Sequence, residues 1–437
     1  MGIVAGAYSR DTLCVIIWGE LMGFHDDDFP GAPRILFVGW PNSPHTHSWI
    51  ELLQGEKLNV RLFGLPTVPP ADWPVKTYMT TWVAGQNKAT RCFMTTEARR
   101  FWSKFTEKFG NGILRRLHRP ENDVVATSLK KVIDTWKPHV IHTLGFDPAA
   151  YIFLSIRQQP AWKQAQWVAQ ARGGPDLYLF RFRDDLRPLM ESVIKTCDRF
   201  IADNQWNYDF AASLGLKEEQ KTAFGIVSGT GGMDIERFSK GADTPPSRRK
   251  RLIYMPKCYD NIAVRGHSAL EGLRLAWPHI QPCQVKCAWI TQPEFRPWVR
   301  ACLGEEIIRH CILHEEILPK EESIQAMREA RVLYAPSVLD GIPNSMLEAM
   351  VCGAFPIISP LEGVAGVVEQ EKNVLFARNL YPEELAEALI RAMTDDELVD
   401  KAAERNRVRV RELADRNRVK SIARRFYPEL ARLGGWT

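Results

Sequence analysis

Short apolar runs alternate with helix-patterned segments along most of this chain, and the alternation happens twice. The first series begins at "PRILFVGW" and continues through "LNVRLFGL", "HVIHTLG", "QWVAQARGG" and "RFIADN". The second comprises "RLIYMP", "QVKCAWI", "RVLYAP" and "FPIIS", with stretches such as "HSALEGLRLAW" and "ESIQAMREA" between them. Apolar runs of about four to eight residues bounded by turn signals fit strands buried on both faces, and strands separated by helices wind into parallel sheets. Between the series lies "SKGADTPPSRRKR", rich in Pro, Ser, Gly and charge, which reads as a linker. The expected fold class is α/β, with two doubly wound domains facing across a cleft. A length of 437 residues accommodates both. Open parallel sheets bind ligands beyond the carboxyl ends of their strands, so the strand-end loops are the places to look for chemistry.

Residues 1–32 read as an N-terminal extension ending in the acidic, turn-rich "HDDDFPGAP", residues 33–240 as the first domain, 241–415 as the second and 416–437 as a basic C-terminal helix. The apolar stretch "TLCVIIWGELMG" contains Glu20 and lacks a small-residue cleavage site, so it is not read as a secretory signal. No unbroken apolar run of about 20 residues marks a membrane span. The nine cysteines are scattered; Cys283 and Cys287 have no second Cys or His pair at zinc spacing. Reduced thiols in a cytoplasmic protein, with no metal site, are expected. The net charge of +5 is mild, and no nucleic-acid-binding motif accompanies it, so nucleic acid is not an expected partner.

The most informative stretch is "VLYAPSVLDGIPNSMLEAMVCGAFPIIS". It places Asp340 just past a strand and Glu348 about one turn into the following helix, four residues after Asn344 and on its face. Asn344 or Ser345 is expected to cap that helix. The helix N-terminus offers free amides and the positive end of a dipole, a seat for phosphate. Gly341 permits close backbone approach. A carboxylate at 348 suits the paired hydroxyls of a ribose, and one at 340 suits a sugar attached to the phosphate.

This string resembles the Glu-x7-Glu signature of the retaining glycosyltransferases of family four (group 1), which have the GT-B fold of two Rossmann-like domains. Pro336, Ser337, Gly341, Pro343, Asn344, Leu347, Glu348, Ala349, Met350, Gly353 and Pro356 match; Asp340 stands where the family has its first glutamate. The resemblance runs from about Arg34 onward. It implies donor binding through Gly341, Asn344, Ser345, Met346, Leu347 and Glu348, with Lys257 and Arg265, from "YMPKCYDNIAVRGHSAL", on the diphosphate. The linker opens with "FGIVSGTGGMDIERF", similar to the family's Gly-Val-Asp-x-x-x-Phe, and the loop in "CILHEEI" would contact the base. In the first half, Ser43, His45 and Trp49 match a Ser-x-His-x-x-x-Trp loop, and "KPHVIHTLGF" matches a Pro-Asp-Val-Val-His-x-His run, with Leu144 in place of the second histidine. His142 and Asp340 are the implied catalytic residues, and His45, Trp49 and Asp176 the acceptor-side residues.

The activity implied is retaining transfer of a sugar from a UDP- or GDP-type nucleotide sugar to a glycan, lipid-linked or small-molecule acceptor, as in surface polysaccharide or glycoconjugate synthesis, without a metal or other cofactor. The C-terminal helix would pack back on the first domain. Another GT-B activity, such as an epimerase or phosphorylase, and a catalytically silent nucleotide-sugar binder are the alternatives. Residues 97–118 interleave Arg99, Arg100, Lys104 and Lys108 with Phe101, Trp102, Phe105 and Phe109. Two readings stay open for this segment: an amphipathic helix burying its aromatics, or a peripheral contact with the inner face of the membrane.

Overall fold

The computed structural model describes residues 22–67, 69–70, 73–79, 92–94, 121–157, 164–173, 176–316 and 318–434. The segment 97–118 lies outside them, as does the apolar stretch before residue 22. The described residues form two sheets. The first has the order β4 (Cys92–Met94), β3 (Thr77–Met79), β2 (Asn59–Gly64), β1 (Arg34–Gly39), β5 (Val140–Leu144), β6 (Gln166–Gln170), β7 (Arg199–Ala202), β8 (Lys221–Ile226). The second runs β11 (Cys311–Leu313), β10 (Gln284–Cys287), β9 (Leu252–Met255), β12 (Val332–Tyr334), β13 (Phe355–Ile358), β14 (Leu375–Phe376). Every pairing between these strands is parallel.

Both sheets are covered on both faces, which is why their central strands are buried along nearly their whole length and mostly apolar rather than alternating. Leu36, Val38 and Ile141 pack with Phe146, Phe153 and Trp167 on one face of the first sheet. Ile35, Phe37 and Val140 pack with Trp49 and Tyr427 on the other. In the second sheet Ile253 and Met255 face one core, Leu252 and Tyr254 the other.

In each sheet the winding reverses beside the first strand: β1 lies between β2 and β5, and β9 between β10 and β12. These reversals open crevices at the carboxyl edge. Five helices bear on them: α1 (Pro44–Ile50), α2 (Gly266–Ile280), α3 (Lys320–Glu329), α4 (Asn344–Cys352) and α5 (Arg416–Arg432). Helix α4 stops at Gly353, whose φ of 80° turns the chain into β13. Helix α5 belongs to the second half by sequence, yet it buries Val419, Ala423, Tyr427 and Leu430 in the core of the first sheet.

Candidate active site

Between the two sheets lies a cavity of about 800 Å³ lined by His45, Ser48, Lys257, Trp289, Lys320, Asp340, Asn344, Ser345, Glu348 and Arg416, among others. Its floor is the reversal point of the second sheet. Because β9 and β12 are neighbours, the loops leaving them emerge side by side, and this brings together residues far apart in sequence. Lys257 Nζ donates to Asp340 Oδ2 at 2.6 Å and to Ser337 Oγ at 2.9 Å. Asp340 Oδ1 accepts the Gly341 amide at 3.0 Å, which fixes the carboxylate's orientation.

Helix α4 begins one residue earlier than its capping pattern suggests. Pro343 is the N-cap, and no side chain caps the helix. This corrects the capping role expected of Asn344 or Ser345. Asn344 Oδ1 instead accepts from Thr230 Oγ1 at 3.3 Å, across the cleft. Ser345 Oγ is buried without a hydrogen-bond partner among the described residues. The Met346 and Leu347 amides turn onto Pro343 O at 3.1 and 3.2 Å, and both side chains are in the core. Of the donor-side residues named on this helix, Met346 and Leu347 are therefore scaffold. Asn344, Ser345 and Glu348 are the ones that reach the cavity.

Glu348 pairs with Lys320, the first residue of α3, and Lys320 also lies 5.3 Å from the Phe238 ring centroid. Burial raises the Glu348 carboxyl above its ordinary value, and Lys320 opposes the shift. Arg265 is not brought to the cavity. It precedes α2, and its guanidinium folds back onto Asp260 at 3.4 Å and the Asn261 carbonyl. A carboxylate and a carbonyl within five residues of it hold that charge locally. Gly341 also lies outside the lining. A Cβ there would overlap the Asp203 carboxylate and sit 2.9 Å from Gly173 Cα, so the glycine is where the two halves touch.

The first half contributes differently. His45 reaches the cavity, and there enclosure by protein and then the charge of Arg172 push its imidazole below the ordinary value, partly offset by Asp340. His142 does not reach it. The ring is fully buried, 5.4 Å from Phe37 and 5.7 Å from Trp49 between centroids. Trp49 Nε1 donates to Tyr427 Oη at 2.9 Å, and the same hydroxyl hydrogen-bonds His142 Nδ1 at 2.7 Å. Burial, then the charge of Arg172, push this imidazole well below its ordinary value, so it is neutral. Trp49 and His142 are thus joined through the Tyr427 hydroxyl of α5 in one buried cluster, and neither lines the cavity. Asp176 is also interior: its carboxylate clamps the Phe146 amide at 2.8 Å and the Arg172 amide at 2.6 Å. Burial pushes it up to about 7 against those two bonds.

Comparison with known proteins bears on this geometry. Residues 264–395, which include the 340–348 turn, match the family model of group 1 glycosyl transferases. Sucrose-phosphate synthase from Thermosynechococcus elongatus superposes with a TM-score of 0.64 at 14% identity, over 91% of this chain and 99% of that one. The Anabaena protein HepE, solved with UDP and glucose, superposes with a TM-score of 0.61 at 13% identity, over 89% and 97%. The fold is GT-B. A Campylobacter jejuni enzyme, N,N'-diacetylbacillosaminyl-diphospho-undecaprenol alpha-1,3-N-acetylgalactosaminyltransferase, is 22% identical over 217 residues. That match spans 49% of this chain and 56% of the relative.

Within this GT-B cavity several residues were not singled out by sequence. Lys320 follows directly on the "CILHEEI" loop, so its place at a strand end was the available signal. Arg416 gave none. It donates to Ser48 Oγ at 2.8 Å, to Ser48 O at 2.7 Å and to Thr230 O at 3.2 Å, tying the start of α5 to α1 and to the opening of the linker. Asp203 Oδ2 accepts the Gly173 amide at 2.8 Å, and Asn204 and Asn207 hold Oδ1 at 2.8 Å each. No helix among the described residues is long and apolar enough to cross a membrane.

Proposed function

We propose that this protein is a retaining glycosyltransferase that takes a sugar from a nucleoside diphosphate sugar, of UDP or GDP type, and places it on an acceptor hydroxyl. One observation carries the reading. Around the cavity, Lys257, Asp340, the open first turn of α4 and Glu348 stand in the order that a sugar, a diphosphate and a ribose require. Each acid is held by a lysine, Asp340 by Lys257 and Glu348 by Lys320. Donor binding exchanges these partners. The lysines turn to phosphate oxygens, Asp340 to hydroxyls of the donor sugar and Glu348 to the ribose.

Chemistry then follows from where charge develops. As the bond from the anomeric carbon to the diphosphate breaks, its electron pair passes to the leaving phosphate. Lys257 and the amides of Asn344 and Ser345 stabilise that charge without reorganising. This arrangement does the work of a divalent cation, so the reaction proceeds without metal. The acceptor hydroxyl enters from the side of His45 and attacks the face the diphosphate leaves, and its proton passes to the departing phosphate. The Campylobacter relative is named for transfer to a diphospho-undecaprenol acceptor. This supports a lipid-linked or glycan acceptor here, met at the cytoplasmic face of the membrane.

The test is a panel of UDP- and GDP-sugars scored for nucleotide release with and without EDTA, followed by NMR assignment of the product anomer. Release that survives EDTA and a product of unchanged anomeric configuration are expected. Failure to bind any nucleoside diphosphate contradicts the reading, and an inverted product contradicts the retaining step.

A further inference from the structure

One side chain in the cavity has no structural employment. Trp289 follows β10 with a φ of 65°, a left-handed conformation that is a genuine outlier for a bulky residue. The backbone on both sides is pinned. Ala288 N donates to Met255 O at 2.9 Å, Cys258 N to Ala288 O at 3.2 Å, and Ile290 N to His314 O at 3.0 Å. Ala288 and Ile290 are buried at 0% and 1% exposure, whereas Trp289 is 40% exposed and lines the cavity. Among the described residues its indole takes part in no hydrogen bond and no ring contact. Packing therefore does not account for an aromatic held in a strained backbone, and such strain concentrates where ligands bind.

We propose that Trp289 is the stacking platform for the nucleobase of the donor, and so sets nucleotide affinity. This rests on the nucleotide-sugar reading above and deepens it. The argument is positional. The order β11-β10-β9-β12 lays four loops along the carboxyl edge. Lys257 leaves β9, and Asp340 and Asn344 follow β12, so the diphosphate lies over that pair. Glu348 meets Lys320, which follows β11, so the ribose lies between α4 and α3. The base must then extend toward the loops of β10 and β11. Trp289 occupies the first of these, and Leu318 and Pro319 provide apolar lining from the second. A flat aromatic face is what every nucleobase can use.

The experiment compares wild type with Trp289→Ala, Trp289→Phe and Trp289→Gly, titrating each with UDP, GDP and inorganic pyrophosphate by calorimetry and measuring Tm. The Ala and Gly variants should bind the preferred nucleoside diphosphate about ten- to a hundredfold more weakly, the Phe variant within a few-fold of wild type, and all should bind pyrophosphate as wild type does. The Gly variant should also melt no lower than wild type, because glycine accepts this φ. Unchanged nucleotide affinity in Trp289→Ala overturns the inference, as does an equal loss for pyrophosphate. Wild-type protein that binds neither UDP nor GDP overturns the nucleotide reading itself, and this assignment with it.

Discussion

The two sheets present equivalent edges to the same cavity and use them in opposite ways. Beyond β9 and β12, the side chains named for chemistry stand partly exposed and paired with lysines: Lys257 with Asp340, Lys320 with Glu348. On the side of β1, β5 and β6, His45 reaches the cavity while the other side chains named for chemistry are buried. Trp49 and His142 share the Tyr427 hydroxyl, and Asp176 spends both oxygens on backbone amides. The difference has a physical origin. Helix α4 starts at the cavity and leaves its first amides open, so the short turn before it must face the ligand. On the first sheet α5, arriving from the far end of the chain, packs against one face and sets Tyr427 between Trp49 and His142, making them part of a buried layer. Location at a strand's carboxyl end identifies a candidate; what covers it decides the role.

Substitutions can break this contrast. The largest effect belongs to Lys257→Met, which removes the cation facing the leaving group. Turnover should fall about 10²–10³-fold with Tm little changed, and a variant of undiminished turnover would remove Lys257 from the chemistry. Next is Tyr427→Phe, which strands the Trp49 N–H and His142 Nδ1. It should lower stability by about 1–3 kcal/mol in denaturant unfolding while leaving kcat unaltered; loss of turnover at unchanged stability would return His142 to the mechanism. Glu348→Gln should weaken nucleoside diphosphate binding about tenfold, roughly 1.4 kcal/mol, because the amide offers one acceptor oxygen and no charge where the carboxylate offers an oxygen to each ribose hydroxyl. Affinity equal to wild type by calorimetry would take the ribose away from Glu348.

The smallest effect is one of pH and concerns the scaffold. Burial raises Asp203 from 3.8 to about 6, against bonds from Gly173 and Asn207 and with Asp340 adding to the rise. Between those values the folded chain keeps a proton that the unfolded chain has released, so this group's contribution to stability is lost as pH rises through the window. Asp203→Asn cannot titrate. Its stability deficit relative to wild type should therefore be smaller at pH 7 than at pH 4.5, measured by urea midpoints. A deficit that widens with pH would contradict the raised value.

Much of the fold was legible in sequence because central strands of parallel sheets are mostly apolar. The runs quoted for β1, β2, β5, β6, β7, β9, β10, β12 and β13 all form strands. The edges were not legible. β8 is mostly exposed along "KTAFGI", β14 has two residues and β3 has three, too little buried surface to leave a pattern. At the site, the 340–348 turn was readable because its determinants are contiguous. The position of Arg265 was not readable, because a nearby Asp and a carbonyl, invisible as competitors in a motif, hold its guanidinium. The burial of His142 was not readable, because its partner Tyr427 is 285 residues away. Trp289 carried no motif at all; only its backbone conformation and exposure mark it.

The central claim is that the turn from Asp340 to Glu348, with Lys257, holds an activated sugar by its diphosphate. A crystal structure with an unreactive UDP- or GDP-sugar analogue tests it most directly. The account predicts the diphosphate against the Asn344 and Ser345 amides with Lys257 moved onto it, and both ribose hydroxyls on Glu348. A ligand seated elsewhere in the cleft, with the Lys257–Asp340 and Lys320–Glu348 pairs intact, would contradict it.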